Sequence, residues 1–379
     1  MPTTPATEAV VLAAADLDSL FEALRGRGYR IVGPTALDGA IVLDELGGPG
    51  DLPAGWTDEQ APGSYRLARR DDAAVFGYAV GPHSWKQELL PPRVRLWQAR
   101  RDDGGLTIEE EEPPSQPTAF VGVKPCELAA IAIQDRVFLG GRFQDRDYAA
   151  RRAGVFLVAV DCGDPSDLCF CAALGSGPGA TEGFDLALTE LLDGEHRFLA
   201  RAGSPAGEAV LAELPARPAA AADLARRADI VAGAAQEMAG RFEADGIHAL
   251  LTGNLDSPHW DVVAERCLSC GNCTLVCPTC FCTHVEDTSA LDGSSAERTR
   301  VWDTCFSLRY AEMHGGNTRP ATRSRYRQWL THKLATWQDQ FGTPGCVGCG
   351  RCIAWCPVGI DIREEVRSFR AEEDQHAHA

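Results

Sequence analysis

The chain has 379 residues, of which 45% are hydrophobic, and a net charge of −18. That length holds two or three domains with their own cores, and the charge argues against nucleic acid or an anionic membrane surface as a main partner. No run of eighteen apolar residues occurs, and the opening MPTTPATEAV lacks the basic-then-apolar layout of a signal peptide, so a cytoplasmic protein with no membrane partner is expected.

In chain order, residues 8–26 are expected to form a helix, with Val10, Val11, Leu17, Leu20, Phe21 and Leu24 at roughly helical spacing. Gly26 and Gly28 stop it before a strand at YRIVG, and GAIVLDEL, SYRLARR and AAVFGYAV are further strand candidates. GRGYRIVG follows a helix rather than a strand, the wrong context for a nucleotide fingerprint. The stretch from PPRVRLWQARR ends in an acidic, proline-rich solvated loop. AFVGV, PCELAAIAIQDRVFL and GVFLVAV then read as strand, helix and strand, a βαβ crossover in a mostly parallel sheet. Residues 184–260 add helical segments, including an alanine-rich one near 208–245. The resulting expectation is an α/β front domain over 1–260, a bacterial-type two-cluster ferredoxin-like α+β domain over 261–365, and a disordered tail over 366–379.

Fifteen cysteines organise the rest. RCLSCGNCTLVCP and GCVGCGRCIAWCP both have the form C-x2-C-x2-C-x3-C-P, the pattern of bacterial two-cluster ferredoxins, in which the distant fourth cysteine serves the other cube. One [4Fe-4S] cluster is therefore assigned to Cys267, Cys270, Cys273 and Cys356, and the second to Cys346, Cys349, Cys352 and Cys277. Gly271 and Gly350 give the backbone freedom that a loop around a cube needs. Zinc knuckles share the C-x2-C pair, but the third evenly spaced cysteine and the repeated C-P favour iron.

Between the motifs, residues 296–333 carry eight basic residues (Arg298, Arg300, Arg309, Arg319, Arg323, Arg325, Arg327, Lys333) against three acidic ones. Either these cations lie near the anionic cubes and raise their potential, or they form an exposed basic helix or a subunit contact. Upstream, Cys126 and Cys162 each follow a strand of the βαβ unit, at the carboxyl edge where ligands collect, and Cys169 and Cys171 lie in the loop that follows. These four make a third [4Fe-4S] cluster or are ordinary thiols. Cys280, Cys282 and Cys305 are either a further metal centre or core cysteines. No catalytic constellation stands out.

VGVKPCELAAIAIQDRVFL, VAVDCGDPSDLCFCAALGSGPG, GFDLALTEL, CPTCFC, VWDTC and GCVGCGRCIAWCPVGIDI together resemble the iron–sulfur beta subunit of cytoplasmic NAD(P)-linked [NiFe] hydrogenases, the sulfhydrogenases. They also resemble the related iron–sulfur subunit of anaerobic sulfite reductase. The likeness runs over most of residues 75–365. It implies a non-catalytic electron-transfer subunit, with partners that are a flavin- and NAD(P)-binding diaphorase subunit and the small and large [NiFe] hydrogenase subunits. An iron–sulfur enzyme with its own small substrate, or a redox sensor, stand as alternatives.

Overall fold

The computed structural model describes residues 9–377. An eight-stranded sheet runs in the order Arg217–Pro218, Val10–Ala13, Arg197–Ala202, Leu186–Leu191, Val155–Val160, Thr118–Val123, Arg30–Leu37, Ala40–Glu45. The four central strands, from Leu186–Leu191 to Arg30–Leu37, pair in parallel, and every flanking pairing is antiparallel. The sheet is thus mixed, not mostly parallel. The hairpins Arg30–Leu37/Ala40–Glu45 and Leu186–Leu191/Arg197–Ala202 add antiparallel strands without needing the long crossover that a parallel strand requires.

Both faces are covered. Ala119, Val121, Phe156, Val158 and Leu186 pack with Leu20, Phe21 and Leu24 of the Asp18–Gly26 helix on one side. Phe120, Val123, Leu157 and Ala159 meet Leu128 and Ile131 of the Pro125–Leu139 helix on the other. Strand alternation produces this division, and a register shift between Val121 and Val123 breaks it where Gly122 has φ +86°. A side chain at Gly122 would come within 3.0 Å of the Phe76 ring, so the bulge is packed as well as bent. It sits three residues before Pro125, which opens the next helix and delivers Cys126 at the sheet's carboxyl edge.

Three expected elements differ. Val10–Ala13 is a strand, and the helix begins only at Asp18. AAVFGYAV is a buried loop rather than a strand. Its amides at Val75 and Phe76 donate to the Glu190 carboxylate, and that of Ala79 to Asp58, so side chains take the place of a strand partner. The expected tail does not hold over 366–377. Ile362–Ala377 is a helix whose Val366 and Phe369 are buried, with Phe369 against Trp260 at 4.3 Å between rings. Residues 378–379 lie outside the described residues.

A second sheet crosses residue 260. Its strands run in the order Thr283–Ser289, Ser295–Trp302, Arg93–Asp102, Gly105–Glu110, all antiparallel. The segment between the two cysteine motifs therefore contributes a hairpin, which completes a sheet begun near residue 93.

Candidate iron–sulfur sites

The two motifs fold alike. Gly271 (φ +75°) leads into the short helix Asn272–Leu275, and Gly350 (φ +76°) into Arg351–Ala354, and the two helices pack together. Only glycine adopts this left-handed backbone freely, and a side chain at Gly350 would also strike Leu168 at 2.8 Å. Cys267, Cys270, Cys273 and Cys356 stand within electrostatic reach of one another. Cys346, Cys349 and Cys352 group with Cys277 in the same way. Each motif thus lends its fourth cysteine to the other group.

Backbone amides converge on the sulfurs: Ser269 N–H on Cys267 Sγ (3.4 Å), Gly348 N–H on Cys346 Sγ (3.4 Å) and Ile360 N–H on Cys356 Sγ (3.3 Å). Donors of this kind stabilise anionic sulfur and tune its potential. Burial works the opposite way on a bare thiol, pushing Cys346 up to about 12 and raising Cys267, Cys273, Cys349 and Cys352. Such thiols keep their protons unless a metal displaces them. Cys277 departs from this pattern. A hydrogen bond with Cys280 and the adjacent Lys333 ammonium hold it well below the usual thiol range. These donors and cations suit four-iron cubes. Among the described residues, no three His, Cys, Asp or Glu side chains are placed to hold a single ion. A cube spreads its thiolates over separate irons.

The front four cysteines lie at the carboxyl edge of the parallel strands, all buried. Cys171 is within electrostatic reach of Cys169 and Cys162, and Cys126 within reach of Cys171. They abut the second ferredoxin motif. Phe170 N–H donates to the Gly348 carbonyl at 2.8 Å, Ser176 Oγ donates to the Val347 carbonyl at 2.8 Å, and Cys349 faces Cys126, Cys169 and Cys171. Cys280, Cys282 and Cys305 line one cleft beside Lys333.

Residues 266–360 match the family model described as a 4Fe-4S dicluster domain. Over 288 residues the chain is 35% identical to sulfhydrogenase 2 subunit beta of Pyrococcus furiosus, across 74% of this chain and 82% of that relative. The chain belongs to the sulfhydrogenase beta-subunit family. No solved structure matches it. An alignment of 288 residues is far longer than the dicluster region, so the family likeness reaches well into the α/β part that carries the front four cysteines. Among the described residues no helix is long and apolar enough to cross a membrane.

In this family member most of the basic segment is engaged away from the cysteines. Arg298 pairs with Asp287, Arg300 with Asp145 and Asp147, Arg323 with Asp261, Arg327 with Asp256, and Arg325 donates to three carbonyls. Lys333 alone of the eight hydrogen-bonds a cysteine among the described residues. It is 3% exposed and donates to Cys277 Sγ (3.1 Å), Thr279 Oγ1 (3.1 Å) and the Gly345 carbonyl (3.2 Å).

Lys86 and Arg351, buried like Lys124 and Arg363, were not singled out by spacing. Lys86 donates to the Leu275 carbonyl (3.1 Å) and lies 3.9 Å over the Trp302 ring. Arg351 pairs with Glu127 at 2.6 Å while donating to the carbonyls of Gly81 and His83. The signal for Arg351 was an asymmetry between the repeats, since GNC in one motif answers GRC in the other.

Proposed function

We propose that this chain is the electron-transfer subunit of a cytoplasmic oxidoreductase complex. It relays electrons between a flavin- and NAD(P)-binding diaphorase subunit and the small and large subunits of a [NiFe] hydrogenase. The observation that carries this reading is continuity. Cys126, Cys169 and Cys171 of the front four face Cys349, Cys352 of that motif lies within reach of Cys273 of the other, and Cys270 beyond it is exposed at the surface. The ligand sets are Cys267, Cys270, Cys273 with Cys356; Cys346, Cys349, Cys352 with Cys277; and Cys126, Cys162, Cys169 with Cys171. When bound, [4Fe-4S] cubes take up and release single electrons. The chain's own residues fix the spacing, bury the thiolates and place cations beside them. The 35% identity to a sulfhydrogenase subunit supports hydrogenase partners over sulfite reductase ones.

Iron and acid-labile sulfide per chain, with EPR of the reduced protein, test this reading. Three cubes give about twelve irons and the ferredoxin pair alone about eight. Cys126→Ala should remove roughly four irons and leave the other two signals in place. Full iron retention in that variant would remove the front site from the relay, and zinc in place of iron would remove the relay itself.

A further inference from the structure

Three cysteines remain once the three sets are assigned, and they are not scattered. Cys280 and Cys282 follow directly after the first motif, and Cys305 lies 23 residues beyond Cys282 by number. The Thr283–Ser289 and Ser295–Trp302 hairpin closes that distance. Thr283 pairs with Trp302, and Asp303 N–H donates to the Cys282 carbonyl at 2.8 Å, so the hairpin's base brings both cysteine segments together. All three side chains line a single narrow cleft with a cavity volume of about 20 Å³.

The cleft's walls are prepared for an anionic acceptor. Trp329 and Trp337 line it, are 4% and 2% exposed, and among the described residues their indole N–H groups have no acceptor. A buried donor left unpaired is costly, and inorganic sulfide or a bound thiolate would satisfy both. Lys333 lines the same cleft, and among the described residues neither it nor Lys86 forms an ion pair with a carboxylate. Buried ammonium groups need a nearby anion. Cys280 and Cys277 are the sulfurs both lysines face, with Cys282 beside Lys86.

We propose that Cys280, Cys282 and Cys305 hold a further iron–sulfur cluster on three thiolates, its fourth coordination position left open to the cleft beside Tyr310 and His332. A single ion is disfavoured, because these side chains are not drawn around one point. Cys280 and Cys282 are half-buried, as are Tyr310, Gln328 and His332, so the cleft reaches the surface and a small ligand can enter. A cluster with a cysteine-free position binds exogenous ligands that a four-thiolate cube excludes. This inference rests on the iron–sulfur reading of the chain but not on its partners.

The test is iron, sulfide and EPR of the anaerobically purified full chain in its complex, parent against the Cys280→Ala/Cys282→Ala/Cys305→Ala variant. The variant is expected to lose three to four irons per chain while the dicluster signals persist. Cyanide added to the parent should shift one EPR signal, and that shift should vanish in the variant. Should the triple variant fail to accumulate, Cys305→Ser, which keeps size and polarity, is read in the same way. Unchanged iron with unchanged dicluster signals overturns the inference, as does a Cys280–Cys282 disulfide in the parent. A parent devoid of iron would instead overturn the dicluster reading itself.

Discussion

Replacing Lys333 by methionine removes a buried positive charge while keeping an unbranched side chain of similar length. The ammonium lies 3.1 Å from Cys277 Sγ and has no carboxylate partner among the described residues, so its charge acts on the cube that Cys277 would serve. At an effective dielectric of about 20, a unit charge at that distance is worth about 5 kcal/mol to a charge placed on the sulfur itself. An added electron spreads over the irons behind it, and at about twice the distance the interaction falls to about 2.7 kcal/mol. With tenfold equal to 1.36 kcal/mol, or 59 mV for one electron, this is about 120 mV. The cation favours the reduced form, so Lys333→Met should lower the potential of one cube by about 120 mV and the other by much less. An EPR-monitored potentiometric titration of the complex reads both values. Two unmoved potentials, or a rise, would refute the reasoning, because the charge would then be cancelled by groups other than the cube.

Three other outcomes follow from specific contacts. Glu127→Gln strips the carboxylate from Arg351, which is 2% exposed, and should destabilise the chain by about 3 kcal/mol in urea unfolding, since an unpaired buried charge remains. A change under about 1 kcal/mol would show that Cys349 suffices as the counter-ion. Leu268 is 63% exposed and lies two residues from the exposed Cys270. Leu268→Asp should slow electron delivery to the partner roughly tenfold with cluster EPR unchanged, as a charge placed in a docking patch costs about 1.4 kcal/mol. Asp223 is held below the usual carboxylate range by Arg217, the Ala220 amide and Arg197. Its contribution is therefore present above the unfolded value near 4 and disappears as pH falls through the lower folded value. Asp223→Asn should cost about 1 kcal/mol at pH 7, and the difference should shrink as the pH is taken below about 4, measured as urea midpoints.

What could be read from the chain was what is local. The C-x2-C-x2-C-x3-C-P phrases and the strand–helix–strand around Pro125 depend on neighbours a few residues apart, and both are legible by spacing. The loop at AAVFGYAV carries strand-like residues, yet Glu190 and Asp58 bind its amides, and partners as far as 115 residues away leave no local mark. Val10 and Val11 merge with the helical spacing of Leu17 and Leu20, which hid a strand one place in from the sheet's edge. At the other end, the polar EEDQHAHA masked a helix docked through Ile362, Glu365, Val366 and Phe369. Lys333 was visible only as one of eight basic residues, because nothing in a composition distinguishes the cation that reaches a sulfur 56 positions back.

The sheet that joins Arg93–Asp102 to Ser295–Trp302 also sets an order of events during synthesis. Arg100 waits for Ser295, which leaves the ribosome roughly 200 residues later, about 10–40 s at 5–20 residues per second. Until then the long strand has only its exposed hairpin mate, Gly105–Glu110, and an open edge that invites wrong pairings. The arginines spread along it (Arg93, Arg95, Arg100 and Arg101) discourage such pairings during the wait. Metal loading of the second cysteine phrase comes later still, so maturation should proceed from a nascent chain that is kept soluble by charge before it is locked by iron.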